Sequence, residues 1–104
     1  MFLSSKIWGP HYWFFLHTIS LTYPDFPTDT DKKIYYDLIQ NFHRFIPNKK
    51  MGDTFLKNLD NFPISPYLTS RLSFIKWVNY IHNKMNGKLE KKNDYTLFEC
   101  LKDL

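Results

Sequence analysis

Along four stretches of the chain, apolar residues recur every three or four positions, and each stretch is bracketed by proline or by a capping side chain. The spacing predicts a first helix from about Pro10 to Thr22, with Pro10 suited to the first helical position and Pro24 stopping the run. Trp13, His17 and Ser20 or Leu21 share one face of it, and Phe14, Phe15 and Ile19 pack elsewhere. The loop 23–29, with Pro24 and Pro27, should be stiff. Thr30 is expected to cap a second helix from Asp31 to about Ile46, turning Ile34, Leu38, Phe42 and Phe45 inward until Pro47 breaks it. A third helix runs from about Asn48 to Asn61, with Met51, Phe55, Leu56 and Leu59 inward, and Pro63 and Pro66 mark the next loop. Ser70 caps a fourth, whose stripe is Phe74, Val78, Ile81, Met85 and Leu89. Asn93 or Asp94 caps a short fifth helix reaching the carboxyl end. No stretch reads convincingly as a strand. Short connections between antiparallel helices favour an all-α fold, a four-helix bundle plus a short fifth helix, in a single domain over residues 1–104.

Composition narrows the function classes. A chain of 104 residues with 43% hydrophobic and 19% aromatic residues and only 3 glycines has a modest core rich in rings and is not disordered. The net charge of +4 admits an anionic ligand, but its default reading is a solvated basic face, so no nucleic acid is expected. Met1 to Ile7 is too short and polar for a secretory signal. The aromatic run Trp8 to Leu21 is broken by His11, His17 and Ser20 and falls short of the roughly 20 residues of a spanning helix, so a soluble protein away from the membrane is expected. The chain has 1 cysteine, Cys100, which can form neither an internal disulfide nor a cysteine-based zinc site by itself.

Candidate chemistry gathers on the fourth helix. Beside its apolar stripe lie His82 and Asn86, one turn apart with Asn83 between them, and Lys88 and Lys91 follow past Gly87. An apolar wall, amides, an imidazole and two cations suit a flat aromatic ligand carrying phosphates. Standing alone, the same stretch also reads as a core helix with a satisfied histidine and solvated amides. The amino end adds Trp8-Gly9-Pro10-His11-Tyr12-Trp13-Phe14-Phe15-Leu16-His17, followed by Tyr23-Pro24.

Together these two motifs, WG-x-x-x-W-x-x-L-H early and W-x-x-x-x-HN-x-x-N-x-x-L-x-K late, resemble the Erv/ALR family of FAD-linked sulfhydryl oxidases. The resemblance covers about Trp8 to Lys91 and looks like the minimal form found in large DNA viruses. It implies a four-helix bundle with a short fifth helix across it, FAD at the open end and a homodimer. Carried over residue by residue, it makes Trp8, Trp13, His17, Tyr23, Trp77, His82, Asn83, Asn86, Lys88 and Lys91 the FAD contacts. Rings would stack on the isoalloxazine and adenine, amides would reach polar atoms, and lysines would neutralise the diphosphate.

The same resemblance exposes a departure. The family opens its third helix with Pro-Cys-x-x-Cys, one thiol taking electrons from substrate and the other passing them to the flavin. Here Pro47-Asn48-Lys49-Lys50-Met51 keeps the proline and the spacing, but Asn48 and Met51 fill the cysteine positions. An amide has no such redox chemistry, and a thioether neither ionises to a thiolate nor exchanges into a disulfide. Asn48 is instead a good helix cap, and Met51 has the size to pack against a flavin. Cys100 reads first as a structural thiol. His11, His17, His43 and His82 lack a metal-ligand spacing, so no metal is expected.

Three functions follow from these residues. One is a catalytically inactive homologue that binds FAD and serves a structural, assembly or regulatory role, with an active paralogue or a virion component as partner. Another is an active FAD-dependent thiol oxidase that uses Cys100 or cysteines of a partner. The last is a basic binding module without cofactor. A location in host cytoplasm or virion would suit a viral protein. Rings such as Tyr35, Tyr36 and Phe42 are offered for a homodimer contact.

Overall fold

The computed structural model describes residues 4–87 and is helical throughout, with no strand among them. Four α-helices follow in order: α1 (Ser5–Leu21), α2 (Asp29–Asn41), α3 (Lys49–Asn61) and α4 (Arg71–Met85). Short 3₁₀ turns, Phe42–Phe45 and Ser65–Tyr67, join α2 to α3 and α3 to α4. The expected fifth helix with Cys100 lies outside the described residues, and so do Lys88, Leu89 and Lys91 at the end of the fourth.

Helix starts are set by side chains that satisfy the free amides of the first turn. Ser70 and Asn48 cap α4 and α3 as their sequences predict, the Asn48 side chain accepting from the Met51 amide at 3.0 Å. Two starts differ from expectation. Ser4 caps α1 by accepting from the Lys6 amide, so the helix begins well before Pro10 and carries that proline inside it. The gain is an extra turn that puts Trp8 one turn from Tyr12, ring centroids 5.1 Å apart. Helix α2 is capped by Thr28 rather than Thr30, because Asp31 completes a reciprocal box: the Thr28 hydroxyl accepts from the Asp31 amide at 3.0 Å, and the Asp31 carboxylate accepts from the Thr28 amide at 2.9 Å. Thr30 would have had Lys33 at the reciprocal position, which can only donate.

The core lies between α1 and α4, which make the most extensive helix pairing among the described elements, and is completed by Ile39, Phe42, Phe55 and Leu59. Phe74, Val78 and Ile81 are fully buried, as their spacing predicts. On α2 the structure selects the neighbouring stripe: Tyr35, Leu38 and Ile39 face the core, while Ile34 is 57% exposed. Tyr35 wins because its ring meets both Tyr23 and Phe74 edge-on, at 4.7 and 5.9 Å. Phe45 is likewise exposed rather than inward, since the helix has tightened into a 3₁₀ turn before reaching it. Phe42, offered above for a partner contact, is instead a core residue packed on Tyr12 and Phe55.

The joint between the 3₁₀ turn and α3 depends on Gly52. A β-carbon there would stand 2.9 Å from the His43 carbonyl oxygen, closer than real side chains approach, so only glycine lets the two segments meet. This contact fixes the start of α3 against the rest of the bundle.

Candidate functional site

A cavity of about 810 Å³ opens between α1, the first 3₁₀ turn, α3 and the end of α4. That is near the upper end of the roughly 300–1,000 Å³ of small-molecule clefts. Its aromatic wall is Trp8, Tyr12 and Trp13 on α1 with Phe42 behind, and its apolar floor includes Leu16, Phe55 and Met85. Lys6 and Lys50 bring cations to it, and Asn86 an amide.

Two histidines from opposite ends of the sequence meet in its wall. His17 Nε2 and His82 Nδ1 are 2.8 Å apart, joining α1 to α4 across 65 residues. His82 lies face to face with Trp13, ring centroids 4.1 Å apart and planes 11° from parallel. His17 is the more enclosed of the two, and burial lowers its pKa below the ordinary 6.5. The exposed edge of this stack is flat and polarisable.

Of the residues the two motifs nominate, Trp8, Trp13, His17, His82 and Asn86 line the cavity. Tyr23, Trp77 and Asn83 do not. Tyr23 is fully buried and its hydroxyl donates to the Leu68 carbonyl at 2.7 Å. Trp77 is 2% exposed and donates its indole N–H to the Phe62 carbonyl at 2.9 Å. Asn83 donates to the Asn79 backbone and side-chain oxygens at 2.9 and 3.2 Å, inside the same helix. Its own Oδ1 is buried with no hydrogen-bond partner, leaving one acceptor unspent beside His82. The structure thus divides the motif residues between the cavity wall and the core that supports it. Lys88 and Lys91 fall outside the described residues.

The cavity also has members that the motifs do not signal. Tyr12 is braced by donating its hydroxyl to the Phe45 carbonyl at 2.8 Å. Lys6 and Lys50 line the cavity from the first turns of α1 and α3, and Thr54 from within α3. Met51 borders the cavity and is 39% exposed, so it is wall rather than the core residue its spacing suggests. Among the described residues no cluster of three histidine, cysteine, aspartate or glutamate side chains could hold a metal ion. None of the described helices is long and apolar enough to cross a membrane.

The described helices form a bundle with an aromatic and imidazole cleft where the first and last of them meet. The profile of the Erv1 / Alr family matches residues 10–102, and the chain belongs to that family. It is 33% identical over 91 residues to a probable FAD-linked sulfhydryl oxidase of Acanthamoeba polyphaga mimivirus, covering 86% of this chain and 64% of that protein. It is 29% identical over 92 residues to the mitochondrial FAD-linked sulfhydryl oxidase erv1 of Schizosaccharomyces pombe, covering 88% of this chain and 48% of that one. The chain therefore spans less than two thirds of the length of either relative. The crystal structure of the FAD binding domain of Erv1 from Saccharomyces cerevisiae superposes with a TM-score of 0.84 at 26% identity, over 97% of this chain and 93% of that chain.

Proposed function

We propose that the cavity binds FAD and that the chain, lacking a dithiol at the start of α3, serves a structural, assembly or regulatory role instead of oxidising thiols. The observation that carries the first half is the convergence of Trp13, His17 and His82 from the two motifs on one cleft. The residues fit such a ligand chemically. Trp8, Tyr12 and the Trp13–His82 stack offer ring faces, Lys6 and Lys50 offer positive charge for a diphosphate, and Asn86 offers an amide. FAD, when bound, supplies a two-electron acceptor.

The second half rests on Asn48 and Met51. Asn48 spends its side-chain oxygen on the Met51 amide, and Met51 presents a thioether to the cavity. One is a cap and the other a wall, and neither can attack a disulfide or leave one. A homodimer, or a complex with an active paralogue or virion component, is part of the same proposal. Exposed rings such as Phe14 and Tyr36 support a protein contact.

An absorbance scan of purified protein tests the flavin. A colourless protein that cannot be reconstituted with FAD under native conditions would sink that half. Oxygen consumption with dithiothreitol tests the rest. We expect no rate above a free-flavin control, and measurable turnover in the double variant Asn48→Cys, Met51→Cys but in neither single variant. Strong activity in the unaltered chain, lost in Cys100→Ser, would establish a thiol oxidase that uses its one cysteine. Sedimentation that finds a monomer at every concentration would exclude the homodimer.

A further inference from the structure

The bond between His17 and His82 has a chemistry of its own. A neutral pair of imidazoles keeps its 2.8 Å hydrogen bond by having one ring donate and the other accept. Adding one proton preserves the bond and makes it charge-assisted. Adding a second sets two N–H groups against each other with no lone pair between them. Such a pair takes one proton readily and resists the next. Its members are also unequal. His17 is 7% exposed, and its burial disfavours the charged form. His82 is more open and rests on the face of Trp13 at 4.1 Å, where an indole stabilises a cation.

We propose that His17 is a positioning residue for His82, and that the two, stacked on Trp13, form a one-proton couple that places a single positive charge on His82 at the cavity wall in mild acid. His17 then serves as the neutral acceptor, its own proton held on Nδ1. Among the described residues, the other charged groups facing the cavity are Lys6 from α1 and Lys50 from α3. Tyr12 of α1 faces it with its hydroxyl committed to Phe45, and the 3₁₀ turn contributes only Phe42. No carboxylate is among the described residues lining the cavity. Among the described residues lining the cavity, only this couple carries side chains whose ordinary titration range lies between about pH 5 and 8. Resting on the flavin reading, the functional consequence is regulation: the site grips an anionic ligand more tightly as pH falls.

Nitrogen-detected NMR of the free protein from pH 8 to 5 reads the charge and tautomer of each ring without any ligand. His82 is expected to gain its second ring proton while His17 stays neutral and protonated on Nδ1. Protonation of His17 first, or of both rings together, overturns the couple. FAD is the probe for the second arm, because its diphosphate has no terminal phosphate and keeps a constant charge across this range. Its affinity is expected to tighten about two- to fivefold between pH 8 and 5.5, the effect of one partly exposed charge pair. His82→Gln should abolish that step. His17→Ala should shift it to lower pH, and His17→Gln, whose amide oxygen can accept from Nδ1, should restore it. A flat profile in a protein that binds FAD overturns the regulatory role. If FAD fails to bind at every pH, the flavin reading falls, and the NMR titration decides the couple by itself.

Discussion

At the cavity, Trp13 lays its ring on His82 and leaves the rest of its surface to the opening, whereas Trp77, from the other motif, is enclosed with its indole N–H on the Phe62 carbonyl. The tyrosines divide in the same way. Tyr12 stands in the cavity wall with its hydroxyl on Phe45, and Tyr23 is buried with its hydroxyl on Leu68. The residue types are the same in both regions. What differs is whether the surrounding chain covers the ring after satisfying its polar tip. In this chain the two motifs therefore mark two populations, residues that face the cavity and residues packed in the core behind it.

The widest separation should come from the tryptophans. Trp77→Ala should cost about 3–5 kcal/mol in chemical denaturation, the range for emptying a large aromatic from a core. The fraction that remains folded should bind FAD with unchanged affinity. Trp13→Ala should do the reverse, weakening FAD about tenfold, or ~1.4 kcal/mol, with a smaller loss of stability. If both variants lose affinity equally without unfolding, Trp77 is a ligand contact and the division is misplaced.

Next come the tyrosines. Tyr23→Phe leaves the Leu68 carbonyl buried without its partner and should cost about 1–3 kcal/mol. Tyr12→Phe frees a carbonyl on an exposed residue, where water can replace the hydroxyl, and should cost about 0.5 kcal/mol or less. Equal losses in urea melts would mean that the cavity wall is as closed as the core.

The smallest effects lie in the pH limbs. Burial lowers the pKa of His17, so its folded form binds fewer protons than its unfolded form. The associated stability is present in full above the unfolded value of about 6.5 and is lost as pH falls through the lowered folded value. Tyr23 has the opposite sign. Burial first, then the charges of Asp31 and Tyr35, raise its pKa, so its stability is present below about 10 and is lost as pH rises through the raised value. His17→Gln should flatten only the acid limb of a stability profile, and Tyr23→Phe only the alkaline one. A variant that altered both limbs would show that the two regions are electrostatically coupled.

Much of this was legible in the chain. The caps Ser70 and Asn48, the stripe Phe74, Val78 and Ile81, and the meeting of Trp13, His17, Met51 and His82 at one cavity follow from spacing and from two motifs. The misplaced starts have local causes. Ser4 outcompetes Pro10 by accepting from the Lys6 amide, and Thr28 outcompetes Thr30 through a reciprocal bond with Asp31 three residues further on. On α2, apolar residues at 34, 35, 38 and 39 allow two adjacent stripes, and only the rings of Tyr23 and Phe74, far away in sequence, select between them. Whether a motif residue is wall or core was not legible for the same reason. Burial of Trp77 depends on the Phe62 carbonyl, which periodicity cannot place.

The close approach at Gly52 bears on the order of assembly. It joins α3 to the preceding 3₁₀ turn across a short loop, so little chain entropy opposes its formation. The His17–His82 contact must instead close 65 residues of chain. Local contacts form ahead of such distant ones, so the wall that carries Met51 should be in place before α1 docks on α4. A ligand held between those two helices would then meet a finished binding surface only after the folding barrier has been crossed. FAD should accordingly slow unfolding while leaving the refolding rate nearly unchanged, a signature readable in the two arms of a chevron.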